Sequence, residues 1–125
     1  MAPNPPNHKR ILVVEDDAAT RDAVALMLES EGYQVSGAAN GQEALAHMRG
    51  SGPPDLILLD LMMPVMNGLE FRRHQHADPA LAHIPIVVVS ADGNVSQKAA
   101  LIGVSDYLRK PVDLDKLLAT VQRYL

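Results

Sequence analysis

The sequence predicts an α/β domain built as a (βα)₅ doubly wound, five-stranded parallel sheet. The 125 residues suffice for one domain with a sizeable core but are too few for two. Five short runs of β-branched residues or Leu alternate with segments of helical period. Two of these runs, LILLD at 56–60 and IVVVS at 86–90, are apolar without alternation, which indicates strands with helices covering both faces.

The five predicted strands are RILVV at 10–14, YQVSG at 33–37, LILLD at 56–60, IVVVS at 86–90 and DYLRK at 106–110. The segments between them predict helices, so the strands are joined by right-handed crossovers and run parallel. Ligands of such sheets bind beyond the carboxyl ends of the strands, where the strand order reverses. Functional side chains are therefore expected at the strand ends.

The first two helices are predicted from apolar residues at helical spacing. The residues that mark their apolar faces are Ala23, Leu26 and Met27 in the first helix and Ala44, Leu45 and Met48 in the second. Gly32 can end the first helix. Asn40 followed three residues later by Glu43 resembles a capping box at the start of the second.

The last three helices complete the alternation. A third helix is expected after Gly68 and a fourth between Asn94 and Ile102, while a fifth begins near Asp113. The apolar face of the fifth helix is predicted to consist of Leu114, Leu117, Leu118 and Val121. Residues 10–125 therefore form the predicted domain, and residues 1–9, rich in Pro and Asn, a disordered N-terminal tail.

Composition excludes several classes of function. The net charge is −4 without a compensating Lys/Arg stripe, and aromatic residues are only 3%, which argues against direct nucleic-acid binding. The chain has no Cys, so it has neither disulfides nor thiolate chemistry. The N-terminal residues lack the apolar core of a signal peptide and no run has the length of a membrane span, which predicts a cytoplasmic location without membrane association.

Polar residues converge at the predicted strand ends. They are Glu15, Asp16 and Asp17 after the first strand, Asp60 at the third, Ser90 at the fourth, and Lys110 with Pro111 at the fifth. Acids on neighbouring strand ends repel one another unless a cation lies among them. Oxygen ligands without His or Cys select a hard ion, and so few carboxylates favour Mg²⁺ over an all-protein Ca²⁺ cage.

This arrangement indicates phosphoryl acceptance on Asp60. A carboxylate beside Mg²⁺ can attack phosphorus and form an acyl phosphate, while Lys110 neutralises the oxygens and Ser90 donates to one of them. The alternative for Asp60 alone is capping of the next loop. Asp17 lies just before a helix, where capping is a sufficient role for it.

The motifs ILVVEDD, LILLDLMMPVMNG, IVVVSA and YLRKP, in this order and nearly at these spacings, resemble the receiver domain of two-component response regulators. The resemblance runs from Arg10 to the C-terminus and implies the flavodoxin-like receiver fold. It also implies that Asp60 is the phosphoacceptor for a sensor histidine kinase or a phosphotransfer protein. Asp16 would hold Mg²⁺ directly and Glu15 through water, with the Met62 main-chain carbonyl completing the protein ligands.

The same resemblance implies a conformational switch. Ser90 and Lys110 would contact the phosphoryl group, and Tyr107 occupies the switch-aromatic position. Ser90 moving toward the phosphoryl group would open space for Tyr107 and change the surface of helix four, strand five and helix five. The Lys110–Pro111 bond matches one that is cis in the family. An unknown downstream protein would read that surface, with the chain a monomer or a phosphorylation-dependent dimer.

Two other functions compete with this interpretation. A Mg²⁺-dependent phosphohydrolase of the haloacid-dehalogenase-like kind would need an acid two residues after the nucleophile, where this chain has Met62. A non-phosphorylated pseudo-receiver would not need the intact acid, Ser and Lys set. The chain is thus expected to be a phosphoacceptor with autophosphatase activity, not a true enzyme, and either a stand-alone receiver or an excised one. The segment 93–105 is slightly shorter than is usual in the receiver family, so a short or shifted helix four is expected.

Overall fold

Five parallel strands form one sheet in the computed structural model of the chain, which describes residues 9–104 and 106–125. The strands are β1 (Arg10–Val14), β2 (Gln34–Ala38), β3 (Leu56–Leu59), β4 (Ile86–Ser90) and β5 (Asp106–Arg109). The helices are α1 (Ala18–Glu29), α2 (Gly41–Ser51), α3 (Gly68–Ala77), α4 (Val95–Leu101) and α5 (Leu114–Tyr124). The strand order is β2-β1-β3-β4-β5, which confirms the doubly wound (βα)₅ fold.

The strand bounds agree with prediction to within one residue. β1 and β4 have the predicted bounds, and β2 lies one residue later than expected. β3 and β5 each end one residue early, so Asp60 and Lys110 follow their strands instead of ending them. Residues 1–8 of the predicted tail lie outside the described residues. Lys9, the last residue of that predicted tail, accepts a hydrogen bond at its carbonyl from the Gln34 main-chain nitrogen at 3.0 Å.

Both faces of the sheet are buried. Successive residues of β1, Ile11 and Leu12, belong to two different apolar clusters, because side chains alternate along a strand. The cluster with Leu12 includes residues of α2, α3 and α4, and the cluster with Ile11 includes residues of α1 and α5. Across residues 9–104 and 106–125, no helix combines the length and the hydropathy that crossing a lipid bilayer requires.

The buried face of α1 differs from the predicted one. Val24 and Leu28 are buried, whereas Ala23 is exposed and Leu26 is 70% exposed. Met27 packs at the edge of the cluster. The prediction was wrong because the six residues 23–28 are all apolar, so the sequence pattern alone does not define which stripe faces the sheet.

The buried face of α5 was predicted in part. Leu117 and Val121 are fully buried as expected, and Leu118 packs against them. Leu114 is 43% exposed, which corrects its assignment to the apolar face. A helical side chain leans toward the N-terminus of its helix, so the first residue of α5 projects past the helix end instead of onto the sheet. The third buried residue of α5, beside Leu117 and Val121, is Thr120.

Polar side chains begin three of the helices. In each case the side-chain oxygen of the N-cap residue accepts a hydrogen bond of 2.9 Å from the main-chain nitrogen three residues later. The acceptors are Asp17, Asn40 and Asn67, and the corresponding donors are Thr20, Glu43 and Glu70. Asp17 therefore has the capping role expected for it. The Glu43 carboxylate accepts from the Ala39 nitrogen at 3.1 Å, so the expected capping box closes one residue before the N-cap.

Gly68, the first residue of α3, lies directly against the main chain that carries Asp60. A Cβ added to Gly68 would lie 2.7 Å from both the Asp60 carbonyl oxygen and the Leu61 Cα. The Gly68 nitrogen also donates to the Leu61 carbonyl at 3.0 Å. The absence of a side chain therefore lets α3 begin against the segment that follows β3, and this contact fixes where Asp60 lies.

We expect Gly68→Ala to lower the free energy of unfolding by about 1–3 kcal/mol, because neither backbone contact can move aside without shifting β3 or α3. Gly50→Ala is the matched control, since a Cβ there meets nothing within 4 Å and Ala is the better helix former. Urea denaturation of the two variants and the wild type measures the difference. Equal stabilities of both variants would contradict the assigned role of Gly68.

Candidate functional site

The carboxyl ends of the strands meet at one edge of the sheet. From β1 the chain continues to β2 on one side and then crosses to β3 on the other side of β1, so the topological switch point lies between β1 and β3. At this edge Glu15 and Asp16 follow β1, Asp60 follows β3 and Lys110 follows β5, while Ser90 is the last residue of β4. The residues predicted from the strand ends thus lie at one edge.

Three carboxylates form a cluster there. Glu15, Asp16 and Asp60 each contribute an oxygen, and these oxygens all lie within 4.8 Å of one another. Glu15 and Asp60 are only 4% and 6% exposed, whereas Asp16 is exposed. The Asp60 main-chain nitrogen donates to the Val14 carbonyl at 3.0 Å, so the sheet's hydrogen bonding continues up to the acid. The cluster therefore has a buried base and an open side.

Lys110 connects this cluster to β5. Its ammonium donates to the Asp60 Oδ2 at 3.0 Å and also forms an ion pair with Glu15. Its main-chain nitrogen donates to the Ser90 carbonyl at 3.0 Å, and the Lys110–Pro111 bond is cis, as the resemblance implied. One ammonium therefore serves two buried carboxylates from different strands.

The second Asp60 oxygen is held by the loop that follows. Asp60 Oδ1 accepts a hydrogen bond from the Met62 main-chain nitrogen at 3.1 Å. The Met62 side chain is largely exposed, so its main chain is the part that contacts the site. Its carbonyl as a metal ligand remains a prediction.

Ser90 is buried at the end of β4. Its hydroxyl oxygen accepts a hydrogen bond from the Asp92 main-chain nitrogen at 3.2 Å. The Asp92 carboxylate in turn accepts from the Asn94 nitrogen at 2.8 Å and pairs with Lys98 of α4. The sequence alone did not single out Asp92 or Lys98, although an acid two residues after a strand-end hydroxyl was an available signal. Together they connect Ser90 to α4.

Tyr107 lies in β5 opposite Val88 of β4. Its neighbour Leu108 faces the cluster formed with α1 and α5, so alternation places Tyr107 on the opposite face of the sheet, which α4 covers. The residue is 39% exposed. This position agrees with the predicted switch role, which stays a prediction. α4 has only seven residues, as the short 93–105 segment indicated.

Burial and neighbouring charges shift the pKa values of Glu15 and Lys110. Burial raises the pKa of Glu15 to about 7, and the hydrogen bond from Lys110 offsets only part of this effect. Burial lowers the pKa of Lys110, but the hydrogen bonds and charges of Glu15 and Asp60 outweigh burial and raise it above its usual value. The two shifts have different main causes, because burial disfavours the charged form of Glu15, whereas the two neighbouring carboxylates favour the cationic form of Lys110.

The donor set fits a hard divalent cation. Negative charge remains after Lys110 is counted, all side-chain donors are carboxylate oxygens, and the exposed Asp16 lies where an ion would enter from solvent. Glu15, Asp16 and Asp60 are the side chains that can hold it. An open groove of about 470 Å³ adjoins Asp16 and is lined further by the loop after β3 and by Lys98.

The fold and this site define a class of signalling domain. The family model described as the response regulator receiver domain matches residues 11–122. The chain therefore belongs to the receiver domains of response regulators, which confirms the family that the four sequence motifs indicated.

Relatives and solved structures support the same class. The alkaline phosphatase synthesis transcriptional regulatory protein SphR of Synechococcus elongatus is 42% identical over 93% of this chain and 48% of that protein. The chemotaxis response regulator CheY4 of Vibrio cholerae is 32% identical with a TM-score of 0.85, covering 95% of this chain and 100% of that one. The receiver domain of the sensor histidine kinase PA1611 from Pseudomonas aeruginosa PAO1, with a magnesium ion coordinated in its active-site cleft, is 29% identical with a TM-score of 0.86, covering 94% and 98%. The chain spans about half the length of the curated relatives it matches.

The raised pKa of Glu15 predicts a pH dependence of stability without divalent cations. The folded chain holds the Glu15 proton up to about pH 7, and the unfolded chain releases it near 4.5. The contribution of Glu15 to the free energy of unfolding is therefore present below the unfolded pKa and is lost as the pH rises through the folded one. Glu15→Gln mimics the protonated acid. Its free energy of unfolding should therefore rise relative to that of the wild type by up to about 3 kcal/mol as the pH increases from about 5 to about 8.

Urea denaturation in EDTA at both ends of this pH range measures the difference, and the comparison with wild type removes every contribution that the two proteins share. Asp17→Asn is the control. Hydrogen bonds from Thr20 lower the pKa of Asp17, so this acid keeps its charge across the window and its substitution should have the same effect at both pH values. A difference between Glu15→Gln and wild type that does not change with pH would contradict the account.

Proposed function

We propose that the domain accepts a phosphoryl group on Asp60 from a sensor histidine kinase or a phosphotransfer protein, with Mg²⁺ held at Glu15, Asp16, Asp60 and the Met62 carbonyl. The observation that carries the proposal is the Lys110 ammonium on the Asp60 carboxylate, at the end of a buried strand in a receiver domain. Asp60 has the position of a nucleophile, and Lys110 has the charge that a transferred phosphoryl group needs.

The chemistry follows from these contacts. An Asp60 carboxylate oxygen attacks the phosphorus of the donor, the P–N bond of a phosphohistidine breaks, and the imidazole leaves with the electron pair. The product is an acyl phosphate on Asp60, whose oxygens Lys110 and the Ser90 hydroxyl contact. A bound divalent cation would supply further positive charge to the phosphoryl oxygens. Attack of water on phosphorus later releases phosphate and restores the carboxylate, which is the autophosphatase activity expected of the domain.

Support for Mg²⁺ comes from the donor set and from one relative. The three clustered carboxylates suit a hard ion. The PA1611 receiver domain is described with magnesium in its active-site cleft. In the present chain Asp16 would ligate the ion directly and Glu15 through water, consistent with the pairing of Glu15 with Lys110.

The output is proposed to be a population shift at α4, β5 and α5. A phosphoryl group adds up to two negative charges and new acceptor oxygens beside Ser90. If the Ser90 side chain rotates so that its oxygen moves toward the phosphoryl group, that oxygen no longer accepts the hydrogen bond from the Asp92 nitrogen, and the altered packing near α4 favours a new position of Tyr107. A downstream protein, or a second copy of the chain, would bind this altered face. SphR is a transcriptional regulatory protein by name, but the match covers 48% of it, and we propose no nucleic-acid contact for this domain.

Acetyl phosphate with Mg²⁺ should add the mass of one phosphoryl group to the wild-type chain and none to Asp60→Asn, because the amide is not a nucleophile. Intact-mass spectrometry gives the readout. Asp115→Asn, which removes an exposed acid in the first turn of α5, is the matched control and should label like wild type. Labelling that persists in Asp60→Asn, or none in the wild type, would show that Asp60 is not the acceptor.

Tyr107→Ala should label at nearly the wild-type rate, within about twofold, since the ring is not among the reacting groups. The amide NMR shifts that phosphorylation causes in α4 and β5 should shrink, whereas those of Leu61 and Met62 should not. Leu26→Ala, which truncates an exposed side chain on α1, should leave both sets unchanged. Undiminished α4 and β5 shifts in Tyr107→Ala would mean that the output leaves by another face.

A further inference from the structure

The hydrogen bonding of the sheet ends at Glu15, whose nitrogen still bonds to β2 but whose carbonyl does not. The Glu15 nitrogen donates to the Ala38 carbonyl at 2.9 Å and so extends the pairing of β1 with β2 by one residue. The Glu15 carbonyl instead accepts a hydrogen bond of 2.7 Å from Nη1 of Arg21, on the first turn of α1. The turn that carries Glu15 and Asp16 is therefore closed by a side chain, not by the sheet.

Gly37 makes room for this arginine. Gly37 pairs with Val13 in the sheet, and a Cβ added to it would lie 2.9 Å from the Arg21 Cδ and 3.3 Å from both Cγ and Nε. The φ of Gly37 is not among the positive values, so its conformation does not require glycine. Glycine weakens a strand, and here its presence is explained by the close approach of the Arg21 side chain. Gly37 and Arg21 thus both contribute to the hydrogen bond at the Glu15 carbonyl, one by leaving space and the other by donating.

The contact determines where the acids point. Asp17 is fixed as the N-cap of α1 by its hydrogen bond with Thr20, and Glu15 is fixed through its carbonyl by Arg21. Asp16 lies between these two anchors with an exposed side chain, so its direction depends on the main chain around it. A displaced turn would move Asp16 relative to Asp60 across the 4.8 Å cluster.

We infer that Arg21, seated on Gly37, is a positioning residue of the cation site that sets the turn from Glu15 to Asp17 for metal binding. The inference rests on the proposed function, because it presupposes that the cluster binds Mg²⁺. A positioning role and a simple charge effect of Arg21 predict opposite changes in Mg²⁺ affinity when the arginine is removed. Removing a positive charge near three carboxylates would by Coulomb's law strengthen Mg²⁺ binding, whereas loss of the positioning contact weakens it.

The test is a double-substitution cycle on Mg²⁺ affinity, measured by calorimetry or NMR titration in the absence of any phosphoryl donor. Arg21→Ala should raise the Mg²⁺ Kd about 10-fold, the usual effect of losing a group that orients a metal ligand. Gly37→Ala keeps the positive charge but displaces the arginine stem, so it should also weaken binding. In the Arg21→Ala background Gly37→Ala should have no further effect, because no side chain is left to displace.

Arg49→Ala and Gly50→Ala are the controls, since Arg49 is an exposed arginine of α2 and Gly50 has open space around it. Both should bind Mg²⁺ like wild type. Circular dichroism establishes that each variant is folded. If Arg21→Ala does not fold, Gly37→Ala and Arg21→Lys decide, and both should show a raised Mg²⁺ Kd. The increase in Arg21→Lys should be less than about tenfold, because an ammonium can still donate to the Glu15 carbonyl.

An unchanged or lowered Kd in Arg21→Ala and Gly37→Ala, beside normal Mg²⁺ binding by the wild type, would overturn the inference and leave the proposed function standing. Independent, additive effects of the two substitutions would also overturn it. A wild-type chain that binds no Mg²⁺ would instead refute the metal site itself, and the inference with it.

Discussion

The interaction on which the site depends is the ammonium of Lys110 between the Glu15 and Asp60 carboxylates. It joins the ends of β1, β3 and β5 through charge, and these groups are too buried for solvent to screen them well. Removing one partner from a buried charge pair typically costs about 3–5 kcal/mol, because the remaining charge is left uncompensated. Loss of Lys110 would leave two carboxylates without a cation, so its ammonium is the member of the cluster on which stability depends most. The same excess of negative charge attracts a cation to the cluster.

A second constraint is close backbone approach. Gly68 lets α3 begin against the carbonyl of Asp60, and Gly37 lets the Arg21 side chain reach the turn after Glu15. In both places the missing Cβ matters because of the space it leaves, with no positive φ involved. The acids are therefore set by packing of the main chain around them as well as by their own hydrogen bonds. α4 is different, since it has seven residues and, among the described residues, Asn94 provides it no side-chain cap. A short, weakly capped helix is the kind of element whose position a local charge can shift.

Most of the fold, and the polar residues that meet at the strand ends, could be predicted from the sequence because their signals are local. Continuous apolar runs predict doubly covered strands, and polar residues at the ends of several such strands predict a site, so Asp60 and Lys110 were singled out together with the other strand-end residues. The α1 face could not be predicted, because residues 23–28 are apolar all round and only tertiary packing selects Val24 and Leu28. Leu114 was misassigned because its spacing fits the apolar stripe while its place at the helix end does not. Arg21 and Gly37 are 16 residues apart in sequence and contact only in the folded chain, so neither pattern nor spacing indicates their pairing.

We propose that Asp60 accepts the phosphoryl group and that the Lys110 ammonium then contacts phosphoryl oxygens. A crystal structure of the chain with Mg²⁺ and beryllofluoride tests both points at once. We expect beryllium bonded to an Asp60 carboxylate oxygen, the Lys110 ammonium within hydrogen-bonding distance of a fluorine, and the metal beside Asp16. Beryllofluoride bound elsewhere, or on Asp60 with Lys110 still held between Glu15 and Asp60 and remote from every fluorine, would contradict it.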